Sequence, residues 1–207
     1  MKRIIDLLFP KQCINCNKEG TFLCEDCLSL IDVNHFQYCL CEKLEKTNKC
    51  DNCRNRSLDI IFSATSFKNK IVQKTIHKFK HSYIKELSIP LAYLIIKHLQ
   101  TINCKITNEF VLTPVPLSNK ETRARGFNHS KEIAKILSEA TKMPLIDCVI
   151  KQERGFKIIT NIKNKKILLV DDVYTTGLIM EEIAKKLKES GASTVWGITV
   201  AREIVDL

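Results

Sequence analysis

Apolar positions along this chain follow two periods. Ile167-Leu168-Leu169-Val170 is an unbroken run of four, which reads as a strand buried on both faces of a sheet. Ile60-Ile61-Phe62 predicts an earlier strand, Glu109 to Val115 a second with Pro114 and Pro116 ending it, and Leu145 to Ile150 a third. Val195, Trp196, Ile198 and Val200 predict a last strand over Thr194 to Ala201. Helical spacing fills the intervals. Ile71, Val72, Thr75, Ile76 and Phe79 predict a helix from about Asn69, and Leu87 to Leu99 a second with Pro90 in its first turn. Asn128 is an N-cap for a helix over Ser130 to Thr141. Ile183 and Leu187 share one face of a last helix, which Gly191 ends.

The most informative stretch joins the buried run to that last helix. Asp171 and Asp172 follow the strand at once, then Thr175, Thr176 and Gly177. In an open α/β sheet, ligands bind in the crevice beyond the strand C-termini. Hydroxyls, a glycine and free N–H groups at a helix start suit a phosphate. Carboxylates repel phosphate but accept hydrogen bonds from sugar hydroxyls, or hold Mg²⁺. Together they describe a sugar phosphate with a free diol. A capped helix after a core strand explains one threonine, not two adjacent carboxylates at a buried strand end.

A second polar stretch, Pro114-Val115-Pro116-Leu117 and then Arg123-Ala124-Arg125-Gly126-Phe127-Asn128, is expected to form a loop. Its two arginines can chelate phosphate oxygens. His77, His81 and His98 stand isolated and read as surface or packing residues.

Ten cysteines change the picture of the N-terminal part. Eight lie between Cys13 and Cys53 in close pairs: Cys13 and Cys16, Cys24 and Cys27, Cys39 and Cys41, Cys50 and Cys53. Adding 26 to positions 13, 24 and 27 gives 39, 50 and 53, an internal repeat in which only Cys41 is out of register with Cys16. Two tandem four-thiolate sites follow, structural and suited to Zn²⁺. Spacing alone leaves open ligand sets that cross between the units. Cys104 and Cys148 read as buried thiols. Residues 1–58 therefore form a Cys-rich zinc-binding module, and 59–207 a second domain. Lys11, Lys18, Lys43, Lys46, Lys49, Arg54 and Arg56 surround the ligands as a basic collar.

The chain has 207 residues, is 44% hydrophobic and carries a net charge of +10. Room exists for one medium domain and a small module. The charge favours an anionic partner without choosing among nucleic acid, phosphorylated ligands and acidic lipid. No apolar run reaches membrane-span length, and no signal peptide is evident. Met1 to Phe9 reads as an amphipathic helix packed on its own domain, with a membrane surface as the alternative.

The pattern of apolar strand, Asp171-Asp172, two residues, then Thr175-Thr176-Gly177 closely resembles the phosphoribosyl pyrophosphate loop of type I phosphoribosyltransferases. The resemblance implies a Rossmann-like α/β domain with a parallel sheet, preceded by a small zinc-ribbon-like module. It implies that Asp171 and Asp172 hold ribose hydroxyls, that Thr175, Thr176 and Gly177 wrap the 5′-phosphate, and that Mg²⁺ accompanies the diphosphate. Position 179, where that family often has a threonine, is Ile179. The order of cysteine module, Pro-Val-Pro-Leu, Arg-Gly-Phe-Asn and Asp-Asp-Val-x-Thr-Thr-Gly resembles the ComF family of competence-associated proteins over nearly the whole chain. That likeness implies pyrophosphate contacts for Arg123 and Arg125, and a cytoplasmic or inner-membrane-peripheral role in natural transformation. Incoming single-stranded DNA would be the partner, with a DNA-uptake ATPase nearby. The family's longer segment before the last buried run is shortened here, with Gln152, Arg154 and Asn161 as loose counterparts. A loop too short to close cannot keep water from a reactive sugar centre. Sugar-phosphate binding without transfer is the expectation, with an active phosphoribosyltransferase as the alternative.

Overall fold

The computed structural model describes residues 10–37, 39–41, 50–104, 106 and 109–203. The expected helix at Met1 to Phe9 and the collar residues Lys43, Lys46 and Lys49 lie outside them. A short helix α1 (Glu25–Ser29) lies within the first cysteine unit. Strand β1 (Ile60–Ser66) then opens the sheet, followed by helices α2 (Lys70–His81) and α3 (Ser88–Thr101). Next come β2 (Phe110–Pro114), α4 (Asn119–Arg125), α5 (His129–Thr141), β3 (Val149–Lys151) and β4 (Phe156–Ile158). The chain closes with β5 (Lys166–Tyr174), α6 (Leu178–Glu189) and β6 (Thr194–Arg202).

β1, β6, β5 and β2 pair in that order, every neighbour parallel. β5, the unbroken apolar run, is therefore an inner strand. Its side chains alternate between two cores. Leu168 and Val170 join Phe62, Leu112, Ile198 and Val200 beneath α2, α3 and α5. Ile167 and Leu169 join Ile61, Val111 and Val195 beneath α6 and the β3–β4 hairpin. Burial on both faces is the reason no polar residue interrupts the run.

The cysteine segment divides between these faces. Cys13, Cys24 and Cys27, with Leu23, Ile31 and Val33, pack into the α2–α3–α5 core. Cys39, Leu40, Cys53 and Leu58 pack into the α6 core. Each unit thus shares apolar contacts with the larger domain, which lessens what a metal must supply alone.

Two expectations change. The strand expected over Leu145 to Ile150 is one bridge, Leu145 beside Leu112, followed by β3, which pairs antiparallel with β4. Gln152 and Arg154 lie in the turn of that hairpin, closed by Gln152 N–H donating to the Gly155 carbonyl at 3.0 Å. The segment holding Arg123 and Arg125 is a helix, not a loop. Ser118 accepts from Glu121 N–H at 3.2 Å, and Glu121 accepts from Ser118 N–H at 2.8 Å, a reciprocal capping box.

Candidate functional site

β5 delivers Asp171 and Asp172 to the C-terminal edge of the sheet, and α5 and α2 converge on them. Ser130, in the first turn of α5, donates to Asp171 Oδ1 at 2.7 Å, and Asp172 N–H donates to the same oxygen at 2.9 Å. Lys80, in the last turn of α2, pairs with Asp172 Oδ1 at 2.8 Å. The two side chains are 25% and 8% exposed, so this pair is screened far less than a surface one. Burial, with the neighbouring Asp172 charge, pushes the Asp171 carboxyl up to about 7, against the opposing pull of Ser130 and Lys80.

His129 lies beside this group, at the first position of α5, with Asn128 capping the helix by accepting from Lys131 N–H at 3.0 Å. It is buried between Phe79 and Phe127, ring centroids 4.8 and 4.7 Å away, and neither ring nitrogen has a hydrogen-bond partner among the described residues. Burial lowers its pKa to about 4; Asp172 opposes this, and Arg125 and Lys80 reinforce it. The imidazole is therefore neutral near pH 7, one nitrogen a donor and the other an acceptor. Arg125 and the exposed Arg123 make no ion pair or hydrogen bond among the described residues. Gly126 has φ +74°, and a Cβ there would meet the Tyr83 ring at 2.5 Å. Tyr83 in turn donates to the Ala124 carbonyl at 2.9 Å, clamping the arginine helix to the segment after α2.

Beyond the carboxylates the loop opens. Thr175 and Thr176 are exposed, and among the described residues the one hydrogen bond of their hydroxyls is a long one, Leu178 N–H to Thr176 Oγ1 at 3.4 Å. Gly177 starts α6 in the left-handed region, φ +73°. Leu178 and Ile179 stand 70% and 50% exposed beside it. One edge of the crevice thus offers acceptors to a diol, and the other offers hydroxyls and helix N–H groups to an anion.

The eight thiols of the N-terminal segment form two groups, Cys13, Cys16, Cys24 and Cys27, and Cys39, Cys41, Cys50 and Cys53, with all Sγ atoms of each within 4.8 Å of one another. The sets do not cross. The 26-residue repeat is geometric as well: Cys24 N–H donates to Cys13 Sγ at 3.5 Å, and Cys50 N–H to Cys39 Sγ at 3.1 Å. Cys16 and Cys24 lie 3.5 Å apart, Cys41 and Cys50 3.6 Å. Tetrahedral thiolates around zinc at ~2.3 Å stand roughly 3.8 Å apart, so both clusters fit the ion. Burial raises the Cys13 and Cys39 thiols, but backbone N–H donors outweigh it and bring them down to about 6 and about 7, toward the ligating thiolate.

Lys80, Ser130 and His129 were not legible as site residues. Topology alone brings α2 over β5, and a histidine after an N-cap reads as surface. The signal for α4 was present, since Ser118 and Glu121 stand at capping-box spacing.

The parallel sheet with its Asp-Asp and Thr-Thr-Gly stretch, and the cysteine module before it, define an α/β protein with a small cysteine-rich N-terminal module. No protein-family model matches the chain. Among curated proteins it is 26% identical to competence protein ComFC of Streptococcus pneumoniae, covering 89% of each chain. It is 26% identical to competence protein F of Haemophilus influenzae, covering 93% of this chain and 98% of that one. It is 33% identical to ComFC of Bacillus subtilis over 45% of each. Over most of its length the chain is thus similar to competence proteins of the ComF type from several bacteria. Solved structures similar to it include a phosphoribosylpyrophosphate synthetase from Mycobacterium smegmatis (18% identity, 58% of this chain and 34% of that one, TM-score 0.38). A purine phosphoribosyltransferase from Pyrococcus horikoshii is another (16% identity, 54% and 70%, TM-score 0.34).

Proposed function

We propose that this protein handles incoming single-stranded DNA during natural transformation, and that its crevice binds phosphoribosyl pyrophosphate or a related sugar phosphate. The observation that carries the reading is the placement of Asp171, Asp172 and Thr175–Gly177 at the C-terminal end of an inner parallel strand, in a chain aligned with a competence protein over 89% of its length. In this reading Asp171 and Asp172 accept from the ribose hydroxyls, Thr175, Thr176 and Gly177 take the 5′-phosphate, and Arg123 and Arg125 face the diphosphate with its Mg²⁺. Residues 1–58 are a zinc-binding module and 59–207 the phosphoribosyltransferase-like domain. The eight clustered cysteines hold two structural zinc ions, which supply rigidity and no open coordination position. The protein acts on the cytoplasmic side, beside a DNA-uptake ATPase.

Lys70, Lys74 and Lys78 lie exposed at four-residue spacing along α2 and form a basic stripe suited to a phosphodiester backbone.

Calorimetric titration with phosphoribosyl pyrophosphate and Mg²⁺ tests the crevice. Binding by the parent is expected, and its loss when Asp171 and Asp172 both become Asn. Release of pyrophosphate on offering bases or amines would make the protein a transferase. DNA affinity should fall steeply between 50 and 200 mM salt, the behaviour of several phosphate contacts at roughly one counterion each. An affinity indifferent to salt would sink the DNA reading.

A further inference from the structure

The two cysteine units differ in what they touch, and the second one reaches the phosphate loop. Tyr174 and Arg202 are register partners at the C-terminal ends of β5 and β6, both buried, with the guanidinium 5.1 Å above the phenol ring. Three successive carbonyls of the second unit receive their donors. Arg202 Nη1 donates to Cys39 O at 2.7 Å and Nη2 to Cys41 O, while Tyr174 Oη donates to Leu40 O at 2.9 Å. The Tyr174 hydroxyl end also supports the loop from below: a Cβ at Gly177 would lie 2.2 Å from Tyr174 Oη. A further tie joins the same parts. Glu181, in the first turn of α6, accepts from Ser57 N–H at 2.6 Å and from Leu58 N–H at 3.2 Å, where the chain leaves the second unit.

The first unit makes no comparable connection. Its cysteines pack on the opposite face of the sheet, and no hydrogen bond among the described residues joins 10–31 to 171–181.

We propose that the second four-cysteine unit is part of the phosphate site, with Tyr174 and Arg202 as positioning residues that transmit the order of the Cys39–Cys41 backbone to Thr175–Gly177. A metal at that cluster fixes three carbonyls; the carbonyls fix Tyr174 and Arg202; Tyr174 fixes the floor of the loop. Occupancy of the second cluster and binding of a 5′-phosphate then favour one another, while the first cluster is indifferent. The inference rests on the sugar-phosphate reading of the crevice. Linkage makes it testable from either side, because a ligand tightened by the metal must tighten the metal by the same factor.

The experiment is equilibrium zinc competition with a chromogenic chelator, on full-length protein carrying two zinc ions, with and without phosphoribosyl pyrophosphate and Mg²⁺. One zinc is expected to tighten about tenfold on adding ligand, within the usual range of coupling between sites, and the other to stay unchanged. Hydrogen exchange assigns the responding ion: peptides covering 39–41 gain protection with ligand, and those covering 13–27 do not. Tyr174→Phe keeps the ring and loses the donor to Leu40. It should cut the zinc response to about twofold or less while still holding both ions, the scale of one hydrogen bond. Calorimetry on the same samples separates the failures. If the parent does not bind the ligand, the crevice reading and this inference fall together. If it binds, then no zinc response, an equal response of both ions, or an unchanged response in Tyr174→Phe overturns the inference alone.

Discussion

The two ends of the stretch from Asp171 to Gly177, the last residues of β5 and the loop that follows, are built on opposite terms. At Asp171, half-buried, and Asp172, buried, the side chains are already partnered, by Ser130, by the Asp172 N–H and by Lys80. At Thr175 and Thr176 the hydroxyls face solvent, and what is fixed is the backbone beneath them. A ligand entering here must therefore displace a protein partner at the carboxylate end and none at the threonine end. The difference is one of chemistry. Buried carboxylates need compensation in the free protein, whereas hydroxyls and helix N–H groups can wait in water at little cost.

Breaking the floor of the open end should have the largest effect. Gly177→Ala places a Cβ at φ +73° and within 2.2 Å of Tyr174 Oη. Left-handed strain of about 1–2 kcal/mol and overpacking of about 1–3 kcal/mol should together lower stability by roughly 2–5 kcal/mol in urea denaturation, and abolish ribose 5-phosphate binding. Retained stability would show that the loop does not rest on Tyr174.

Next is the counterion of the closed end. Lys80→Met keeps the aliphatic stem but leaves Asp172 buried without its cation. A loss of about 1–2 kcal/mol is expected near pH 8, below the cost of breaking a fully buried pair because Lys80 is a quarter exposed. Ribose 5-phosphate, whose diol no longer competes with Lys80, should bind no more weakly to this variant than to the parent. Weaker binding would mean that Lys80 touches the sugar phosphate directly.

The pH dependence separates two groups within the closed end. Asp171 is raised to about 7 in the fold, from a carboxylate's unfolded value of about 4. Its contribution to stability is complete below about 4 and is lost as pH rises through about 7. His129 runs the other way: lowered to about 4 from about 6.5, it contributes fully above 6.5, and that contribution is lost as pH falls through 4. The opposed slopes flatten the parent profile between pH 4 and 7. Asp171→Asn removes one of them, so the variant should gain about 1 kcal/mol on the parent at pH 8 and little at pH 4. Thermal melts of both proteins across that range check the sign. A gain at pH 4 instead would mean that Asp171 is charged in the fold.

Much of the closed end was hidden from the sequence, and the reason is topological. The buried run, its carboxylates and the helix that follows are adjacent in the chain, so period and residue type place them together. The cysteine groups were legible because a 26-residue repeat carries its own register. Lys80 stands 92 positions from Asp172, on a helix whose basic face reads as solvated. The arginines seemed to lie in a loop because glycine and proline flank them, yet the capping box at Ser118 and Glu121 starts a helix between. The short strand at Leu145 failed to extend because, of the backbone donors among the described residues, only Leu112 N–H, donating to the Pro144 carbonyl, and Ile146 N–H, donating to the Leu112 carbonyl, bond across the edge of β2, and the chain then turns into its own hairpin.

The smallest effect on stability belongs to the threonines themselves. Thr175→Val and Thr176→Val remove exposed hydroxyls whose one bond among the described residues is the long contact from Leu178 N–H. Changes of stability within about 0.5 kcal/mol are expected, as for surface positions without a special role. Affinity should respond quite differently. Each hydroxyl facing a phosphate is a donor to an anion, worth about 1.5–3 kcal/mol, so ribose 5-phosphate should weaken by roughly ten- to a hundredfold while free ribose is unaffected. The contrast between unchanged melting and lost affinity would mark these side chains as reserved for a ligand. If both variants bound ribose 5-phosphate like the parent, the anion would be held by the α6 N-terminus and Gly177 alone, with Ile179 a natural companion to a site read by backbone rather than by hydroxyls.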